Sequence, residues 1–294
     1  MRLGIACASG SVKGVFVHGV LAGFRRRGFN AEIYAASSSS SIPAAFASIH
    51  DIDSLRGIEY WKQARADYLE ANSDVSRAVK LGINAVLPQL KQRLFTGGAA
   101  RLVIAASAVT TGEAAALTQG EGARRLGQQL MLSIRKKDRS WADANLSGVL
   151  FDTRTSDQKF KLAENNLAEV LYATTRMLHA WKDPAWVGAE PYIDASYTSM
   201  CPARELTQLG MEAIVAITPE SGPLYTDFFQ SEEMPNSFAG VTIHIIQPQF
   251  NLTEIGVDYL KATDEGIIRA FELGQEAAER FVRSFEPTGG ITSR

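Results

Sequence analysis

LGIACASGSVKGVFVHGVLAGFRRRGFNAEIYAASSSSSIPAAFASI, residues 3–49, holds two strand-like runs, each followed by a Ser/Gly-rich turn and a helix-like run. Arg2 to Ala8 is a short apolar run closed by the Ser/Gly segment SGSVKG. VFVHGVLAGFRRRG follows with apolar residues at helical spacing, a cationic last turn and a glycine, which together predict strand, tight loop and helix. After Gly28 the run AEIYAAS predicts a second strand, and Ser37 to Ser41 leads into IPAAFASI, where proline suits a first helical turn. Two consecutive strand, turn and helix units point to a mainly parallel sheet.

The rest of the chain extends that pattern. From about Asp53 to Phe95 the sequence keeps helical spacing and shows no convincing strand, which predicts a helical insertion. RLVIAASAV, GVLFDT, AIVAITP and VTIHIIQP are the later strand candidates, and TDEGIIRAFELGQEAAERFVRSF is an amphipathic C-terminal helix. The reading is one α/β domain over residues 1–294, its mainly parallel sheet covered on both faces. No internal repeat is visible.

Composition narrows the classes. At 294 residues the folded chain hides roughly 75% of the surface of its unfolded form, so its core requires no metal or disulfide staple. With 46% hydrophobic and 21% charged residues it is neither disordered nor fibrous. Thirty Lys and Arg against 32 Asp and Glu give a net charge of −2, which argues against a nucleic-acid partner. Cys7 and Cys201 lack CxxC spacing, so neither a zinc site nor a disulfide framework is indicated and a reducing cytoplasm fits best. No apolar run reaches the ~20 residues that span a bilayer, although peripheral membrane contact stays open.

Ser38 stands where a sharp strand-to-helix turn would expose its hydroxyl beside a helix N-terminus. The first loop, SGSVKG, lies between its own strand and helix, where two adjacent amides suit an oxyanion. A nucleophile and an oxyanion site on neighbouring turns is an arrangement for acyl transfer. Here the sequence resembles the patatin-like phospholipases, whose pattern is a GGGxKG loop, a GxSxG turn about 25 residues on, and a later DGG or DGA. In this chain the loop is Ser9 to Gly14 and the nucleophile turn is ASSSS, Ala36 to Ser40. SAVTTGEAAAL (107–117), YATTRMLHAW and PYIDASYTSMCPARELTQLGMEAIVAI resemble further blocks of that family, in the same order.

The resemblance implies a three-layer α/β/α fold and a lipid acyl hydrolase working through a Ser–Asp dyad, with no metal or organic cofactor. Ser38 is the implied nucleophile, with Ser37 and Ser39 one step away, and Asp194 the implied base. Gly10, Ser11 and Val12 are the implied oxyanion hole, and Lys13 a substrate-binding residue at the lipid head group, a brace for that loop or a surface lysine. Ser9, Ser11, Ala36, Ser40, Ala195 and Ser196 replace family glycines, each a cost of roughly 1–2 kcal/mol where the backbone needs positive φ or close approach. A catalytically impaired module that binds lipid or a protein partner is therefore the alternative. A Ser38–Asp194–His244 triad is a third reading, disfavoured because His244 sits inside an apolar strand.

Three features around this site carry further expectations. Trp181 and Trp186 are candidates for an acyl pocket. Arg135, Lys136, Lys137 and Arg139, next to Trp141, are candidates for anionic lipid or else a solvated face. The helical insertion, with Trp61 and Leu69, is either a lid over the site or an ordinary layer on the sheet.

Overall fold

A computed structural model describes residues 1–71 and 74–285. Its strands are β1 (Leu3–Cys7), β2 (Ile33–Ala36), β3 (Arg101–Val109), β4 (Leu146–Asp152), β5 (Trp186–Val187), β6 (Glu190–Ile193), β7 (Ala213–Ile217), β8 (Ser237–Phe238) and β9 (Val241–Ile246). Its α-helices are α1 (Gly14–Arg26), α2 (Ser41–Ser48), α3 (Ile58–Glu70), α4 (Val75–Leu94), α5 (Gly112–Gln119), α6 (Ala123–Arg135), α7 (Ser140–Asn145), α8 (Leu167–Ala173), α9 (Ala203–Gln208) and α10 (Asp264–Phe285).

Five strands run parallel in the order β3, β2, β1, β7, β9. Every residue of β1, β2 and β7 is buried, which is why they read as continuous apolar runs. Alternation along them serves two layers. Leu3, Ile5, Cys7, Tyr34 and Val215 join the core under α1, α2, α4 and α10. Ala6, Ile33, Ala35 and Ile214 face a second cluster with Leu206 of α9, Met211 and Met234. The chain is thus a three-layer α/β/α domain. On the thicker side α1 and α10 cross closely: a Cβ on Gly19 would collide with the Phe271 carbonyl, and one on Gly274 with that of Phe16.

The segment read as a helical insertion is helical, a 3₁₀ turn at Ile52–Leu55 followed by α3 and α4. Residues 112–145, for which the periodicity specified no element, fold as the short helices α5, α6 and α7.

One topological detail positions the site. β4 pairs antiparallel with one edge of β3 from Val103 to Val109. The other edge is shared: β2 pairs with it from Arg101 to Ile104, and β6, running antiparallel, pairs with Ser107 and Ala108. The C-terminal ends of β2 and β6 therefore point at each other across the gap left by Ala105 and Ala106. Ser38 follows one end and Asp194 the other.

Candidate active site

The turn after β2 is strained at one residue. Ser37 is extended, and Ser38 then takes φ 56°, a left-handed conformation that costs a serine roughly 1–2 kcal/mol. Its amide donates to Thr174 Oγ1 at 2.8 Å, and that hydroxyl donates to the Ala105 carbonyl at 2.7 Å, fixing the turn to β3. The strain turns the side chain of Ser38 away from its neighbours, and its Oγ donates to Asp194 Oδ2 at 2.8 Å.

The other hydroxyls of the serine run are anchors. Ser37 Oγ donates to the Ser199 carbonyl at 2.8 Å, Ser39 Oγ to that of Ser11 at 2.8 Å and Ser40 Oγ to that of Ala8 at 2.6 Å. Each thus ties the turn to a different segment, and among Ser37, Ser38, Ser39 and Ser40 only Ser38 bonds to a carboxylate.

Asp194 is wholly buried. Its amide is held by the Arg176 carbonyl at 3.0 Å, and its Oδ1 accepts the Ser196 amide at 2.8 Å and the Ser196 hydroxyl as well. Oδ2 is thereby left for Ser38. Burial raises the carboxyl from 3.8 to about 6, while the bonds from Ser196 and Ser38 favour the ionised form and pull the other way. His244 takes no part: it lies on β9, with its ring against Phe281 and Phe285.

The expected oxyanion loop follows β1 beside this pair. The amides of Gly10 and Ser11 donate to no group among the described residues, whereas that of Val12 donates to the Tyr259 carbonyl at 3.3 Å. Of the three residues read as an oxyanion hole, Val12 thus has its amide engaged, and Gly10 and Ser11 do not. Gly10 is required sterically, since a Cβ there would collide with Pro219. Of the six replaced glycines only Ser11 has positive φ, at 50°, and its hydroxyl bonds to the Tyr259 carbonyl. Among these six, a left-handed backbone therefore burdens Ser11 alone.

Of the roles open to Lys13, its surroundings favour steadying the loop over meeting a substrate. It is 2% exposed, its Nζ lies 3.0 Å from Glu220 and 3.3 Å from Asn251 Oδ1, and it sits over the Tyr259 ring. It braces the loop from behind and does not line the cavity in front of Ser38.

Ser38, Asp194, Gly10 and Ser11 line that cavity, and residues of α3 and α4 form much of its wall. Trp61 anchors the wall, its Nε1–H donating to Nδ1 of the buried His18 at 3.0 Å. Burial lowers His18 to about 3, so the imidazole is neutral and able to accept. Trp181 lines the cavity as expected, but Trp186 is 41% exposed on β5 and does not. Leu69, read as part of the site cover, is 60% exposed and faces away from the cavity. In the basic cluster, Arg139 is paired with Asp143 and Asp227 and Lys137 lies over the Tyr225 ring.

Sequence reasoning missed Thr174, Ser196 as a second donor to Asp194, and the Tyr259 strap. The cavity stripe of α4, Val75, Ala78, Val79, Gly82 and Ile83, was legible as spacing i, i+3, i+4, i+7, i+8. Among the described residues no group of three or more His, Cys, Asp or Glu is placed to hold a metal ion, and no helix is long and apolar enough to cross a membrane. Comparison of the chain with protein-family models and with curated proteins finds no match.

Proposed function

We propose that this protein is a patatin-like serine acyl hydrolase that cleaves carboxylic esters of lipids, of the phospholipid or lysophospholipid class, in the cytoplasm and with peripheral contact to the lipid surface. The observation that carries the reading is the 2.8 Å hydrogen bond from one strained serine to a wholly buried carboxylate, both lining an apolar cavity.

The chemistry follows from the geometry. Asp194 Oδ2 takes the proton as Ser38 Oγ attacks the ester carbonyl, and the tetrahedral oxyanion accepts the amides of Gly10 and Ser11. Collapse expels the alcohol, which receives the proton from Asp194. A water then attacks the acyl carbonyl as it gives a proton to the same carboxylate, the bond to Ser38 Oγ breaks with return of that proton to Oγ, and the free acid leaves. A base raised to about 6 is ionised at neutral pH yet holds a proton better than an ordinary aspartate.

Turnover of nitrophenyl esters by the purified chain, with loss of at least about 10³-fold in both Ser38→Ala and Asp194→Asn, is the expected result. Fluorophosphonate labelling should modify Ser38 stoichiometrically. Turnover that survives both substitutions refutes the site, and absence of labelling and turnover leaves the lipid-binding module.

A further inference from the structure

Gly82 lies in the interior of α4, where glycine costs about 1 kcal/mol relative to alanine. Gly19, Gly23, Gly127, Gly266 and Gly274, also past the first residue of their helices, have a steric reason, since a Cβ on each would collide with a neighbouring element. Gly82 has none: its φ is not positive, and a Cβ on it would meet only the Tyr60 hydroxyl, at 3.8 Å, which is ordinary contact. It stands in the cavity stripe of α4, one turn from Ala78 and across from Tyr60 and Ala64 of α3. Gly82, Ala78 and Ala64 are the small residues of this wall, whereas Tyr60, Val75, Val79 and Ile83 fill space. The helix therefore bears a propensity cost whose one visible consequence is room in the cavity wall.

We propose that Gly82, with Ala78, keeps open a slot between α3 and α4 that receives a long, straight acyl chain, and that residue 82 sets the chain length the enzyme prefers. The inference rests on the acyl-hydrolase reading for its reaction. Ser38 and Gly82 line the same mostly apolar cavity, so a carbonyl held at the dyad leaves the far methylenes to run past residue 82. Each methylene kept in water forfeits about fourfold in kcat/KM. A leucine at 82 that displaces two or more lowers turnover of long chains by about tenfold or more.

The test compares p-nitrophenyl acetate, butyrate, octanoate and palmitate on wild type, Gly82→Ala, Gly82→Leu and Ala85→Leu, the last on the exposed side of α4. Both substitutions at 82 introduce better helix formers, so folding is retained, and thermal unfolding verifies it. The palmitate-to-acetate ratio of kcat/KM should fall by about tenfold or more in Gly82→Leu, fall less in Gly82→Ala and stay at the wild-type value in Ala85→Leu. The same ratio in Gly82→Leu and wild type overturns the slot. If the wild type hydrolyses none of the esters, the reaction reading fails separately, and the slot is judged by titrating a fluorescent long-chain fatty acid into Ser38→Ala. Loss of that binding on adding Gly82→Leu supports the slot, and equal binding overturns it.

Discussion

Replacing Asp194 by asparagine should stabilise the protein above neutral pH while removing its activity. Burial raises the folded-state carboxyl from 3.8 to about 6. In the unfolded chain the proton leaves near 3.8, in the folded chain near 6, so between these values the unfolded state binds fewer protons and stability falls as pH rises. A difference of about two units at 1.36 kcal/mol each puts the loss at about 3 kcal/mol, complete by about pH 7. Asparagine is nearly isosteric, its Oδ1 can still accept both bonds from Ser196, and it carries no charge to desolvate. Urea denaturation of wild type and Asp194→Asn at about pH 4 and about pH 8 measures the effect, since the other titrating groups are common to both. The variant's stability relative to wild type should grow by about 3 kcal/mol from the lower to the higher pH. A gap that does not change with pH, or that moves the other way, refutes the argument that the site holds a desolvated carboxylate.

Ser196→Gly removes a hydroxyl donor that favours ionised Asp194, so the acid limb of kcat/KM should move to higher pH by about one unit, with recovery in Ser196→Thr. Gly10→Ala forces a Cβ onto Pro219; it should cost about 1–3 kcal/mol of stability and eliminate ester turnover, both checked on one preparation by thermal unfolding and nitrophenyl acetate hydrolysis. Trp61→Phe leaves Nδ1 of buried His18 without its donor and should destabilise by about 1–3 kcal/mol, read by urea denaturation.

Periodicity was enough to place the five parallel strands, the insertion and the last helix, because strands buried on both faces read as unbroken apolar runs and helices flanking a sheet keep a 3.6-residue stripe. Glycine and serine punctuation placed both turns that follow β1 and β2, and local order set Ser38 after a strand and before a helix. Other features depended on chain segments far apart. That Ser38 and not Ser37 or Ser39 meets Asp194 was decided by the left-handed backbone at Ser38 and by the carbonyls of Ser199, Ser11 and Ala8, which claim its neighbours' hydroxyls. Lys13 faces Glu220 and the Val12 amide is taken by Tyr259 because segments more than 200 residues away pack behind the loop. The raised carboxyl of Asp194 likewise belongs to the tertiary structure alone. Its pairing with Ser38 exists because β6 runs back along the edge of β3 that β2 leaves free, and the desolvation that lifts it comes from everything packed around that junction.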